Sequence, residues 1–131
     1  MDAARNLNIA ARFGQMGVAL DLTHQGIRKQ FVERRASWGK DVRVLDVELA
    51  GFNMPSGDKA EVEVDYSWSN VSDNTLRTTR VHQEWRDPGG GFVLFRERRS
   101  SGDLGLFGEP IPASEAPPQR QQAQFATKVI R

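Results

Sequence analysis

Two histidines, one tyrosine, three tryptophans and no cysteine set the side-chain chemistry open to this 131-residue chain. Without a thiol there is no disulfide, no thiolate metal site and no cysteine nucleophile. His24 and His82 stand far apart and lack the short spacing that brings two imidazoles to one ion, so no metal site and no cofactor is expected. A serine nucleophile needs a local context such as a strand–turn–helix elbow, and none of the serines has one. Gly89-Gly90-Gly91 joins two strand-like segments, whereas a phosphate loop must open onto a helix N-terminus. Arg34-Arg35 and Arg98-Arg99 are short basic pairs that read as solvated charge. Trp38, Trp68 and Trp85 fall on apolar phases and read as core.

The overall charge excludes other roles. Lys and Arg total 18 against 17 Asp and Glu, a formal balance of +1, so no nucleic acid and no anionic membrane is expected as partner. No apolar run approaches the roughly 20 residues of a membrane span, and residues 1–5 lack the apolar stretch of a signal peptide. The expected location is an exported compartment if an export signal has been trimmed, and the cytoplasm otherwise.

The elements that would position these residues fall in two blocks. Ala3, Leu7, Ala10 and Ala11 recur at helical spacing, with Asp2 as N-cap, so residues 3–13 are expected to form a helix. Residues 16–22 read as a short apolar turn. Thr23 is the expected cap of a longer helix reaching Trp38, with Ile27, Phe31 and Trp38 inward, Arg28, Lys29, Arg34 and Arg35 on the wet face, and Gly39 closing it. From Asp41 the period becomes two. Val42 and Val44 share one phase and Leu45, Val47 and Leu49 the other, which predicts a bulge or late start. Ala60, Val62, Val64, Tyr66 and Trp68 alternate with polar residues, a strand with one wet face. Residues 75–86 and 92–99 form the next two strands around the Asp87-Pro88-Gly89 turn. Residues 109–131 are rich in Pro and Gln and read as a tail. Phe125, Thr127 and Val129 alternate within it and could dock as a strand.

Tight turns predict registers. Pairing Asn70 with Thr75 sets Val64 opposite Val81 and Asp65 opposite Arg80. Pairing Trp85 with Phe92 sets Arg80 opposite Glu97, giving an outer charge ladder Asp65–Arg80–Glu97. Val62, Val64, Tyr66, Trp68, Val81, Trp85, Phe92 and Leu94 then face inward with Gln83 and Arg96, and no carboxylate does. Tyr66, Gln83, Trp85 and Arg96 are therefore the candidate pocket residues. Val93 and Phe95 fall outside beside His82, an apolar patch expected at an interface, with Phe125 and Val129 as further contacts from the tail.

Helix, short helical turn, longer helix, then long antiparallel strands resembles the NTF2-like superfamily of the cystatin-like class, notably the small domains of bacterial envelope and lipoprotein sequences. The likeness rests on V-E-V-D-Y-S-W, T-L-R-T-T-R-V-H-Q-E-W-R, G-F-V-L-F-R-E-R-R and G-D-L-G-L-F-G-E, and spans residues 3–108. It implies an α+β cone with a cavity between helices and curved sheet, and dimerisation through the open sheet face. Its isomerase-type enzymes use an inward carboxylate base with a Tyr or protonated Asp. Tyr66 is the one Tyr here, and Asp21 and Asp46 lack a companion. The expectation is a non-catalytic domain, residues 1–108, that binds a protein partner or a second copy through its sheet face or edge, as an accessory subunit of a bacterial envelope assembly. The alternative is a small-molecule-binding or isomerase- or hydrolase-like protein using the cone.

Overall fold

The computed structural model describes residues 1–111. Three helical segments precede four strands: α1 (Asp2–Arg12), α2 (Met16–Asp21), a 3-10 turn (Gln25–Ile27) running into α3 (Arg28–Arg34), then β1 (Val42–Ser56), β2 (Lys59–Asn70), β3 (Leu76–Arg86) and β4 (Val93–Gly102). The strands form one antiparallel sheet in the order β1-β2-β3-β4. Helices cover one face of it, the expected α+β arrangement.

α1 buries Leu7, Ala10 and Ala11 of the expected stripe, but Ala4 is fully buried where Ala3 was expected and is only half-buried, and Asn8 is buried with them. Gly14, at φ +77°, releases the chain into α2 in the left-handed conformation glycine tolerates. The helix expected from Thr23 to Trp38 starts later and stops earlier. The backbone around Thr23 is used by the sheet edge: Leu94 N–H donates to Leu22 O at 2.8 Å and His24 N–H to Leu94 O at 2.9 Å. His24 Nδ1, accepting from Gly26 N–H at 3.0 Å, becomes the cap instead. α3 ends at Arg34, and Arg35, expected on the wet face, is 2% exposed.

The slip within β1 is a bulge between Val44 and Asp46, where the two hydrophobic phases meet. β2 and β3 pair with Val64 opposite Val81 and Asp65 opposite Arg80, as their short turn dictates. β3 and β4 do not pair as expected. The connection is longer than a tight hairpin because Asp87 Oδ1 accepts from Gly89 N–H at 2.8 Å and Gly91 N–H at 3.0 Å, holding residues 87–91 out of the ladder. Trp85 then meets Leu94, and a bulge past it sets Glu84 opposite Arg96 and Gln83 opposite Glu97. The expected ladder loses its third member: Arg80 pairs with Asp65 at 2.7 Å, while Glu97 turns to the interior.

The core is one cluster in which Phe31, Tyr66, Trp68, Trp85, Leu7, Leu94 and Leu106 are the large buried side chains. Burial of each Leu and Phe among them contributes about 1.5–3 kcal/mol on removal from water. The chain after β4 closes the cone. Trp38 Nε1 donates to Leu106 O at 2.8 Å, and Phe107 lies parallel to Trp38 with centroids 6.1 Å apart. Glu109 Oε1 secures this turn, accepting from Gly105 N–H at 2.9 Å and Phe107 N–H at 3.0 Å. Phe125 and Val129 lie outside the described residues.

Candidate functional site

The interior between helices and sheet holds a connected polar network. β2 supplies Tyr66, β3 supplies Gln83 and Trp85, β4 supplies Glu97, α1 supplies Asn8 and the end of α3 supplies Arg35. All six are buried. Asn8 Nδ2 donates to Ala4 O at 2.8 Å and to Gln83 Oε1 at 3.1 Å. Asn8 Oδ1 accepts from Gln83 Nε2 at 3.1 Å and from the Tyr66 hydroxyl. Trp85 Nε1 donates to Gln83 Oε1 at 3.1 Å. Gln83 Nε2 also lies 3.4 Å from Glu97 Oε1.

Arg35 and Glu97 form a two-pronged ion pair, Nη1 to Oε2 at 2.6 Å and Nη2 to Oε1 at 2.9 Å. Such fork-on-fork geometry is the strongest form of this interaction. The guanidinium carbon sits 3.7 Å from the Phe31 ring centroid and 5.0 Å from those of Trp38 and Phe107. This aromatic box replaces lost water with cation–π contact. Arg34 adds a second cation, donating to Glu97 O at 3.2 Å and stacking 4.2 Å over Phe107.

Electrostatics hold the groups in one state. Burial alone would raise the Glu97 pKa, but the Arg35 charge and hydrogen bonds outweigh it, and the carboxyl sits below its usual range. Burial likewise opposes the Arg35 charge, and Glu97 more than offsets it. Burial pushes Tyr66 upward, with Arg35 pulling the other way. A carboxylate already held by two guanidinium nitrogens, beside a phenol made harder to ionise, is poorly suited to take a proton from a substrate.

Three of the four expected pocket residues, Tyr66, Gln83 and Trp85, belong to this network. Arg96 does not: the β4 bulge inverts the side-chain alternation, so Arg96 is exposed and Glu97 takes the interior place. The expectation that no carboxylate faces inward is corrected by the same shift. Asn8, Arg35 and Glu97 were missed. Asn8 and Arg35 carried a signal, since each stands four residues after a buried apolar residue of its own helical stretch, Ala4 and Phe31. Glu97 carried none, because its side depends on a bulge.

The expected outer patch is also rearranged. His82 pairs across with Glu63 and Arg98, its Nδ1 2.5 Å from Glu63 Oε2. Val93 and Phe95 sit at the hairpin end, half-buried, with Phe95 between Arg86 at 3.9 Å and the His24 ring at 5.0 Å. They line a 280 Å³ surface hollow with Lys59, Asp58 and Pro88. A 290 Å³ cleft between α1 and β1, walled by Ile9, Val47 and Leu49, has Asn8 at its floor. Among the described residues no group of three His, Asp or Glu is arranged to hold a metal ion, and no helix is long and apolar enough to cross a membrane.

The fold is NTF2-like. A solved NTF2-like protein from Cytophaga hutchinsonii superposes with a TM-score of 0.60 at 12% identity, over 76% of this chain and 93% of that one. A SEC-C motif-containing protein from Rhodopseudomonas palustris superposes with a TM-score of 0.61 at 13% identity, over 72% of this chain and 73% of that one. At such identities the likeness is one of fold alone. No protein-family model and no curated protein matches the sequence.

Proposed function

We propose that this chain is a non-catalytic binding module that works on its surface, with its cone filled by its own side chains. One observation carries the reading: the inward carboxylate, Glu97, has both oxygens engaged by Arg35, and the space around them is occupied by Phe31, Trp38 and Phe107. Support comes from the edge strand β1. Residues 49–57 carry no charge, and Phe52 and Met54 are 57% and 45% exposed there. Sheet edges are ordinarily guarded by charge, and an uncharged apolar edge suits a protein partner that adds a strand. A place as accessory subunit of a bacterial envelope assembly extends this reading and rests on the sequence resemblance.

The α1–β1 cleft ending at Asn8 favours a second reading, a small molecule entering from the side to reach the polar network. Native mass spectrometry of the purified chain separates the two. The binding-module reading expects the bare protein mass. A stoichiometric small molecule, retained by the wild type and lost in Asn8→Ala, would overturn it in favour of the second.

A further inference from the structure

The two edges of the sheet differ. The β4 edge is already served: Leu22 and His24 bond to Leu94 through their backbones, Arg34 Nη1 donates to Glu97 O at 3.2 Å, and Arg99 Nη1 donates to Gly102 O at 2.8 Å. Its flank is basic, with Arg96, Arg98 and Arg99 exposed. At β1, Arg12 donates to Leu45 O, and past that bulge no described residue outside β2 bonds to the backbone of residues 46–53. Asp46 and Glu48 are exposed there and have no ion-pair partner among the described residues. Between them and beyond, Val47 and Leu49 turn inward, half-buried, and with Ile9 wall the 290 Å³ cleft over Asn8. An open strand edge, an apolar hollow on its inner side and unmatched carboxylates on its outer side together define what would cover it. The complement is a strand with one apolar face and a cation on the other. Residues 125–130 have that pattern: Phe125, Thr127 and Val129 share one phase, and Ala126, Lys128 and Ile130 the other.

We propose that residues 125–130 of the same chain add to the β1 edge as a fifth, antiparallel strand. Val129 opposite Val47 sets Thr127 opposite Leu49, so the apolar phase faces the cleft, and it sets Lys128 opposite Glu48 on the outer side. Run in parallel, the same charge match would put Phe125 at Leu45, where Arg12 already holds the edge. The connection is long enough. At Gly105 a Cβ would stand 2.9 Å from Trp68 Cη2 and 3.0 Å from Ile111 Cγ1, so the last described residue lies by Trp68, whose β1 neighbour is Val44. Residues 112–124 can span roughly 40 Å, against about 26 Å from Val44 to Phe52. Charge selects the edge as well: residues 112–131 carry Arg120, Lys128 and Arg131 against Glu115, which suits the acidic flank of β1 and not the basic flank of β4. This inference rests on the edge and the cleft, whatever the module binds. A partner strand seeking the same stretch of β1 would first have to displace the segment.

The chain has no cysteine, so Glu48→Cys with Lys128→Cys introduces the one disulfide that can form. Directly opposed residues hold their Cβ atoms about 4.5–5.5 Å apart, close enough for the bond after a small adjustment. Under mild oxidation the full chain should close it at least about tenfold faster than the control pair Arg98→Cys with Lys128→Cys, and within a single molecule on a non-reducing gel. Hydrogen exchange on the cysteine-free chain repeats the test with the charge pair intact, and carries it should a cysteine variant misfold. The amides of residues 46–51 that point away from β2 should exchange at least about tenfold slower than in Phe125→Asp with Val129→Asp, while those of α3 and β3 stay unchanged. Circular dichroism checks the fold of each variant. Equal closure rates for the two cysteine pairs, a bond formed only between two molecules, or exchange at residues 46–51 that ignores the substitutions at 125 and 129 overturns the proposal.

Discussion

Replacing Arg35 with Met removes a cation and keeps most of its volume. Glu97, whose side chain is only 3% exposed, would then face an aromatic box with one remaining cation, Arg34 Nε, at 3.9 Å. Breaking a buried ion pair from one side costs about 3–5 kcal/mol, because the surviving charge is left uncompensated. For a domain of this size that lowers the melting temperature by on the order of 10–20 °C. The contribution of Glu97 to the pH dependence should change sign. In the wild type the folded Glu97 carboxyl sits below its unfolded value, so its contribution is present above about pH 4.3 and is lost as pH falls through the lower folded value. In Arg35→Met, burial prevails and the folded value rises. Glu97 then costs stability at pH values above the unfolded one, and the loss relative to wild type should be larger near pH 7 than near pH 4. Urea unfolding from pH 3 to pH 8 reads both slopes. The companion Arg35→Met with Glu97→Leu, which removes both charges, should recover most of the loss. A single variant whose stability still rises with pH as the wild type's does, or a double variant no more stable than the single one, would refute the assignment of Arg35–Glu97 as the coupled pair at the centre of the fold.

Gly102 sits at φ +91°, where a Cβ would stand 2.5 Å from Thr78 O and 2.9 Å from Thr79 Cα, so Gly102→Ala should destabilise by at least about 2 kcal/mol, seen as a shifted urea midpoint. Trp38→Phe keeps the ring over Phe107 but loses the bond to Leu106 O, and should cost about 1 kcal/mol with faster amide exchange in residues 104–109. Phe52→Asp, at an exposed edge position, should leave the unfolding midpoint within about 0.5 kcal/mol of wild type, and a larger loss would show that Phe52 packs in the core.

The amino-acid order alone determined the class of fold and much of its sheet. The change of period at Asp41 marks where helices end and strands begin. The alternation from Ala60 to Trp68 names the buried face of β2. The short turn after Asn70 leaves one register in which both strands of β2–β3 keep their apolar sides inward, and the structure has that register. These are local signals, carried by residues within a few positions of one another. What the tertiary structure decided lies where no local signal reaches. The Asp87 side chain holds its loop out of the ladder, and a bulge beyond Trp85 then reverses the alternation of β4. Arg96 goes out and Glu97 goes in. Arg35 follows for the complementary reason: the backbone bonds around Thr23 to the β4 edge delay α3, and the helix ends with Arg35 directed at Glu97 and enclosed by Phe31, Trp38 and Phe107. A buried charge is tolerable only beside its partner, and these two partners are 62 residues apart in the chain, so packing alone brings them together.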